Sequence, residues 1–556
     1  MDQNKPKNGI PFNVVFTTIS RSSDKLSNLY FVFLIIMGVI EILLNNVLGM
    51  FPSDMYLFFT QNKMEDFKYS LIKFSIMVLV ISLVITIRIW ITDRLSICYR
   101  NNLVLNIQDN YLRDNSFHDL LIQDTSIDNP DARITQDVES WSNDCGIVLG
   151  KLSRMPFIIV YYFFLSYQLL GTLSVLICIA FSVLSMIITY FTMIPVARIT
   201  YSYEAAQGSY RLSHTNMKEN AELICLSNSQ IMEQRLLSQK LDDVLLLQKS
   251  LANHSIPLNW VSTFFSYFGG LMEYICIFFF VFQKMSNKSP SEIASFTSKA
   301  GFIVISFISG LCMILNVVQE ISKLIGYGAR INELCMILQE HKDIVQISKN
   351  SEKIELQNVT ITRPTGEVLL SNLSFVVDQG DSLFITGPSG CGKSSIFRVL
   401  GRIWPTTSGI IASPTPSPNL IMVLTQNPYI PHCGIHECFT FPIPPQDTDL
   451  SVLYDIIHRL ELQHLLRRSS DTWMMGLSPG EKQRIALVRL LLHKPRFVLL
   501  DEATSAIPEK LEKRIFHWIN ESNITTITIS HNIKLRRFHR MSLDIEEVDK
   551  FNYYKN

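Results

Sequence analysis

The sequence predicts a six-span α-helical transmembrane domain followed by an α/β domain of the P-loop type. Three observations predict it. Long apolar runs occupy residues 30–321 and then stop. Beyond residue 350 the apolar residues come in short blocks of strand length. One block, Leu383-Phe384-Ile385, leads into Gly387-Pro388-Ser389-Gly390-Cys391-Gly392-Lys393-Ser394, which fits G-x-x-x-x-G-K-[ST].

The apolar runs are Tyr30–Phe51, Leu71–Ile91, Met155–Leu170, Thr172–Val196, Trp260–Phe282 and Ala300–Ile321. A helix of about 20 residues rises about 30 Å and crosses a bilayer core. The third run is short and nearly fused to the fourth at Gly171, which predicts a helical hairpin with a tight luminal turn. Segments 92–154 and 197–259 are too polar for lipid but keep helical spacing, as in Leu236-Leu237, Leu241 and Val244-Leu245-Leu246. They predict long helical extensions outside the membrane. Lys5, Lys7, Arg21 and Lys25 precede the first span, Arg94 and Arg100 follow the second, and Lys323 and Arg330 follow the sixth. The positive-inside rule then puts both termini and the extensions in the cytosol.

These assignments divide the chain into a cytosolic N-terminal segment (1–29), a transmembrane domain (30–335), a linker (336–350) and a nucleotide-binding domain (351–556). The first 29 residues carry no apolar stretch with a cleavage site, so no removable signal peptide is expected. Asn287-Lys288-Ser289 is a glycosylation sequon in a predicted luminal loop.

Four ionisable residues fall within spans: Glu41, Arg88, Glu273 and Glu320. Such groups are costly in lipid and tend to face a cavity. Glu41, Arg88 and Glu320 lie close enough to span ends for snorkelling to account for them. Glu273 is the most central. With Asn45, Asn46 and Asn316 it is the candidate lining of a substrate cavity.

The 556 residues are 47% hydrophobic with zero formal net charge. No basic stripe interleaved with aromatics is present, which excludes a nucleic-acid binder. Ten cysteines are scattered without a C-x-x-C pair, so neither a structural metal nor a disulfide framework is indicated.

The chemistry lies in the last third. The P-loop glycines let the backbone wrap a phosphate, and the N-terminus of the helix from Ser395 faces the anion. Lys393 would reach the β- and γ-phosphates, and the Ser394 hydroxyl would hold Mg2+. Phe497-Val-Leu-Leu-Asp501-Glu502 reads as a buried strand ending in two carboxylates. Asp501 suits Mg2+, and Glu502 suits the water that attacks the γ-phosphate. ATP and Mg2+ are the ligands this set requires.

Leu477-Ser478-Pro479-Gly480-Glu481, followed by Lys482-Gln483-Arg484, resembles the signature motif of ATP-binding-cassette (ABC) proteins, usually Leu-Ser-Gly-Gly-Gln. The resemblance implies that this loop meets the γ-phosphate of ATP held by a partner subunit. Gln426 resembles the Q-loop glutamine, which contacts Mg2+ and the membrane domain. His531, in Thr528-Ile-Ser-His531, resembles the switch histidine that contacts the γ-phosphate. Three departures stand out. Pro479 replaces a signature glycine, Ile507-Pro508 stands where the D-loop carries Asp, and Ile361-Thr-Arg-Pro364 lacks an adenine-stacking aromatic. They put the hydrolysis rate in question, and a poorly hydrolysing membrane scaffold is one alternative.

One cassette and one set of spans imply half a transporter of the ABC exporter type. A P-loop and a signature on one cassette cannot reach the same ATP, so two chains must pair head-to-tail. A homodimer is the simplest closure; a heterodimer stays open. The whole chain resembles subfamily D, the peroxisomal-type half-transporters. The carrying residues are Asp128-Asn129-Pro130-Asp131-Ala132-Arg133-Ile134-Thr135-Gln136-Asp137-Val138, the P-loop through Ser395, and Leu400-Gly401-Arg402-Ile403-Trp404-Pro405. Within the subfamily, Asp128, Pro479 and the missing D-loop aspartate look like its cobalamin-transporting branch. That likeness implies ATP-driven export of cobalamin from the lysosomal lumen, in a lysosomal or endoplasmic-reticulum membrane, with an LMBR1-type membrane partner. The alternative it leaves is a peroxisomal carrier of fatty acids or acyl-CoA.

Overall fold

A computed structural model describes residues 13–113, 116–122, 130–285, 288–340, 348–363, 366–404, 406–414, 417, 419–445, 449–468, 473–474, 476–547 and 549–556. Lys5, Lys7, Asp128, Asn129, Asn287, Pro364 and Pro405 lie outside them. The chain divides into two compact units. One holds the described residues up to 109 and from 130 to 336; the other holds those from 110 to 122 and from 337 onward.

The first unit is helical. Its elements are α1 (Asn13–Ser22), α2 (Lys25–Thr60) and α3 (Met64–Leu112), the last running into the second unit, which also holds α4 (Ser116–Ile122). Then come α5 (Pro130–Ala132), a π turn (Arg133–Asp137), α6 (Val138–Leu152), α7 (Met155–Leu170) and α8 (Thr172–Glu219). The series closes with α9 (Ala221–Leu226), α10 (Gln230–Lys284) and α11 (Pro290–Glu340). Six helical stretches among the described residues are long and apolar enough to cross a membrane, and each predicted span lies in its own stretch. The helices outrun the apolar runs because the flanking sequence keeps helical propensity and finds caps. Asp24 caps α2, six residues before Tyr30: its carboxylate accepts the Ser27 N–H at 2.7 Å, while the Asp24 N–H donates to the Ser27 hydroxyl. Gly171 ends α7 with φ +81° and ψ −174°, a positive-φ extended conformation that is open to glycine.

Phe181 of α8 stacks on Phe268 of α10, and Cys178 lies 3.8 Å from Cys276. Ala300, Ile303 and Phe307 of α11 belong to the same buried cluster. Outward, α3 presents bare apolar residues such as Leu79 and Leu83, a surface that suits hydrocarbon.

The expectation of snorkelling is corrected here. Glu41 is 3% exposed and takes two arginines, Arg88 Nε at 2.6 Å and Arg154 at 2.7 Å. Glu320 takes Lys151. These side chains pair inside the unit because a charge near lipid is stabilised far more by a counter-ion than by a stretched stem. The Pro130–Val138 segment is similarly tied to α11. Arg133, 4% exposed, donates to Glu333 at 2.7 Å and to the Arg330 carbonyl, and Arg330 reaches Asp137 at 2.7 Å.

The second unit is mostly α/β. Its strands are β1 (Ser348–Asn350), β2 (Ile354–Thr362), β3 (Val368–Val377), β4 (Leu383–Thr386), β5 (Thr406–Ser413) and β6 (Ile421–Leu424). They continue with β7 (Phe497–Asp501), β8 (Thr525–Ile529), β9 (Met541–Glu547) and β10 (Lys550–Lys555). Among the described residues they form a four-stranded sheet, β1-β5-β2-β3, and a six-stranded sheet, β10-β9-β4-β8-β7-β6. From β9 to β6 the larger sheet is parallel. Helix α12 (Lys393–Leu400) follows β4; α13 (Ile435–Thr440), α14 (Leu450–Arg459) and α15 (Pro479–His493) precede β7; α16 (Glu509–Glu521) precedes β8. Within the segment read as a linker, α11 continues to Glu340 and Ser348–Asn350 already pair with β5.

His539 closes the base of this sheet. It is buried between the Leu535 carbonyl and the Thr528 hydroxyl. Burial holds its ring down at about 4, so the folded form keeps it neutral. An unfolded histidine takes up its proton near pH 6.5. Its contribution is therefore complete above that pH and is lost as pH falls from about 6.5 to about 4, amounting to about 3 kcal/mol. Thermal unfolding of the detergent-purified protein at pH 7 and pH 5 should reveal the loss, and His539→Gln should flatten it.

Candidate ATP site

Strand register brings the predicted residues to one rim. Ile385 of β4 and Asp501 of β7 both pair with Ile529 of β8. The carboxyl ends of the three strands therefore finish level, and the loops leaving them meet where parallel sheets take ligands. The loop after β4 is the P-loop. Gly390 and Gly392 adopt φ +82° and +94°. A Cβ at Gly392 would also lie 3.2 Å from the Leu369 Cβ, so this turn needs glycine on two counts.

Lys393 opens α12 and is nearly buried. Its ammonium donates to the Gly387 and Pro388 carbonyls at 2.9 and 2.7 Å. A buried cation whose hydrogen-bond acceptors among the described residues are all neutral, at a helix N-terminus, is a fit for phosphate. The Ser394 hydroxyl lies near enough to the Asp501 carboxyl to favour its charged form. Burial pushes the Asp501 carboxyl up, against the downward pull of Ser394, Arg398 and Lys393. A half-buried acid beside a serine hydroxyl is a donor set suited to a hard divalent cation.

Glu502 follows β7 in a left-handed conformation, φ +49°, fixed by its N–H to the Ile529 carbonyl at 3.0 Å. Its carboxylate lies 3.0 Å from Nε2 of His531. The two predicted catalytic side chains thus meet. Gln426 sits two residues beyond β6; its side chain is exposed, and its carbonyl is held from elsewhere.

The signature loop builds the start of α15. The Ser478 hydroxyl accepts the Glu481 N–H, and the Glu481 carboxylate accepts both the backbone N–H and the hydroxyl of Ser478, at 2.7 and 2.8 Å. Burial alone would push the Glu481 carboxyl up. Hydrogen bonds from His464 and Ser478, with Arg468 nearby, bring it down to about 2. Pro479 occupies the first helical position, where a missing N–H breaks no helical bond. Gly480 lies under the Ala506 carbonyl, 2.7 Å from where a Cβ would stand. Pro508 caps α16. Leu477–Glu481 share no hydrogen bond or ion pair with the P-loop among the described residues. Glu273 abuts Gly301, whose Cβ would collide with it, while the Oδ1 of Asn46 is buried without a partner. Asn45, Asn46, Glu273 and Asn316 make no hydrogen bonds to one another among the described residues.

Two residues escaped the sequence reading. Gln483 on α15 donates to the carbonyls of Gln426 (3.0 Å) and Glu502 (3.4 Å) and to the Ser505 hydroxyl, and accepts the Ala506 N–H at 2.9 Å. One amide therefore joins α15 to the loops that follow β6 and β7. Glu512 on α16 is the second. In each case the signal is a polar residue on a buried helical face: Gln483 with Leu487 and Leu490, Glu512 with Ile515, Phe516 and Ile519.

Comparison with known proteins matches this layout. Residues 17–282 match the family model of the ABC transporter transmembrane region 2, and residues 370–505 match the ABC transporter model. The chain is 26% identical to ABC transporter D family member 1 of Dictyostelium discoideum, over 93% of this chain and 86% of that protein. It is 27% identical to the human lysosomal cobalamin transporter ABCD4, over 93% of this chain and 91% of the relative. It is 28% identical to human ATP-binding cassette sub-family D member 3, over 88% of this chain and 80% of the relative. The two ABC transporter models together span most of the chain, and these relatives, matched over 88–93% of its length, are D-family members of the ABC transporters. As a half-transporter of this family it is a multi-pass membrane protein and an ATPase coupled to transport.

Proposed function

We propose that two copies of this half-transporter export cobalamin from the lysosomal lumen to the cytosol, with both termini and both cassettes cytosolic. The observation that carries the reading is the near end-to-end match to the lysosomal cobalamin transporter, 93% of this chain against 91% of the relative. Pro479 and Ile507-Pro508 support it as marks of the same branch. The free Oδ1 of Asn46, and Glu273, which takes no ion pair among the described residues, suit a large solute rich in amide donors. The LMBR1-type partner belongs to the same reading.

In the cassette, Gly387–Ser395 wrap the triphosphate and Lys393 neutralises its β- and γ-oxygens. Ser394, Asp501 and Gln426 would hold Mg2+, which supplies charge neutralisation at those oxygens. Glu502 takes the proton of the attacking water, and His531 orients the γ-phosphate end. Leu477–Glu481 close over the ATP of the partner copy, with the helix N-terminus and the Ser478 hydroxyl as donors.

Proteoliposomes with the cassettes outward test it. Cobalamin trapped inside should leave when ATP and Mg2+ are added outside, and Glu502→Gln vesicles should retain it. Movement of an acyl-CoA instead of cobalamin would transfer the chain to the lipid reading.

A further inference from the structure

We propose that Glu512 is a positioning residue for ATP hydrolysis, holding the loop of His531 at a fixed distance from the loop of Glu502. It sits on α16 with its side chain almost wholly buried. Its two oxygens are used separately. Oε1 accepts the Thr504 hydroxyl at 2.6 Å, and Oε2 accepts the Asn532 amide at 3.0 Å. Thr504 lies two residues after Glu502, and Asn532 lies directly after His531. Between these two anchored points Glu502 and His531 face each other at 3.0 Å.

No cation reaches Glu512 among the described residues; Lys513 and Lys534 pair with Glu509, one turn earlier on α16. A buried carboxylate served only by neutral donors is costly unless those donors are held firmly. Here both donors belong to the loops that carry the reacting groups. The Asn532 side chain works in two directions. Its amide nitrogen donates to Glu512, and its Oδ1 accepts the Lys534 N–H, starting the turn that follows. Asparagine is the residue that serves an acceptor and a donor at once; an aspartate would keep the second contact and oppose the first.

That asymmetry supplies the test, which rests on the reading of Glu502 as the base. Asn532→Asp preserves the Lys534 contact but turns a donor into a carboxylate facing Glu512. Adding Glu512→Gln restores one donor and one acceptor across the gap, since the glutamine amide can donate to Asp and its oxygen can accept from Thr504. The measurements are ATP turnover of the full-length dimer across ATP concentrations and hydrogen exchange of segment 529–535 without nucleotide. Asn532→Asp should lower kcat about tenfold, in line with one broken buried hydrogen bond, leave KM for ATP within about twofold and speed exchange in the segment. The double variant should recover most of both losses. Wild-type turnover or wild-type exchange in Asn532→Asp would overturn the inference, as would a double variant no better than the single. Wild-type protein without turnover, or Glu502→Gln with full turnover, would overturn the reading of Glu502 and this inference with it.

Discussion

Glu502→Gln should lower ATP turnover by about a thousandfold while leaving ATP binding nearly intact. Glutamine has the volume of glutamate and still accepts a hydrogen bond through its oxygen. It cannot take a proton from water. The backbone favours a clean exchange: the φ of +49° and the N–H to Ile529 involve no side-chain atom. His531, 3.0 Å away, would face an amide oxygen instead of a carboxylate. ATP should then accumulate on the protein, measurable as radiolabelled nucleotide retained through gel filtration. Full turnover in this variant would remove Glu502 as the base.

Lys393→Ala should weaken ATP binding by about a hundredfold, the effect of losing about 3 kcal/mol of charge-assisted hydrogen bonding. Two contributions act together. The point charge on the β- and γ-oxygens disappears. The ammonium also ties the Gly387 and Pro388 carbonyls, so the loop loses its own clasp. Lys393→Arg should not rescue it, because a planar guanidinium cannot occupy the pocket of a compact ammonium. Equilibrium binding of a fluorescent ATP analogue reads the change, and wild-type affinity in the alanine variant would reject the assignment.

The fold was legible wherever one residue pattern had one physical reading. Apolar runs of bilayer length have few alternatives, and every predicted span lies in its own helical stretch. Strand, glycine loop and helix around Lys393 also follow from local chemistry. Helix ends were less legible, since α2 begins at an Asp24 cap that apolar counting ignores. Ion pairs were legible only as isolated charges. Glu41 pairs with residues 47 and 113 positions away, a distance that no periodicity encodes. The ATP residues were read from their motifs, while the side chains supporting them were not. Gln483 and Glu512 resemble ordinary polar positions until the apolar neighbours on the same helical face are counted.

The Glu41 cluster also constrains how the chain is made. During synthesis the carboxylate of α2 emerges before either arginine exists. Arg88 follows after another 47 residues, and Arg154 after 113. A bare carboxylate cannot diffuse into lipid cheaply, so α2 alone is a poor candidate for early release from the insertion machinery. Once α3 arrives, the pair is neutral and can leave as a hairpin. Arg154 then brings a second cation to an acid already paired, at the entry to α7. In the folded unit one buried acid thus ties α2 to α3 and to the entry of α7, and its two cations arrive from the ribosome at widely separated times.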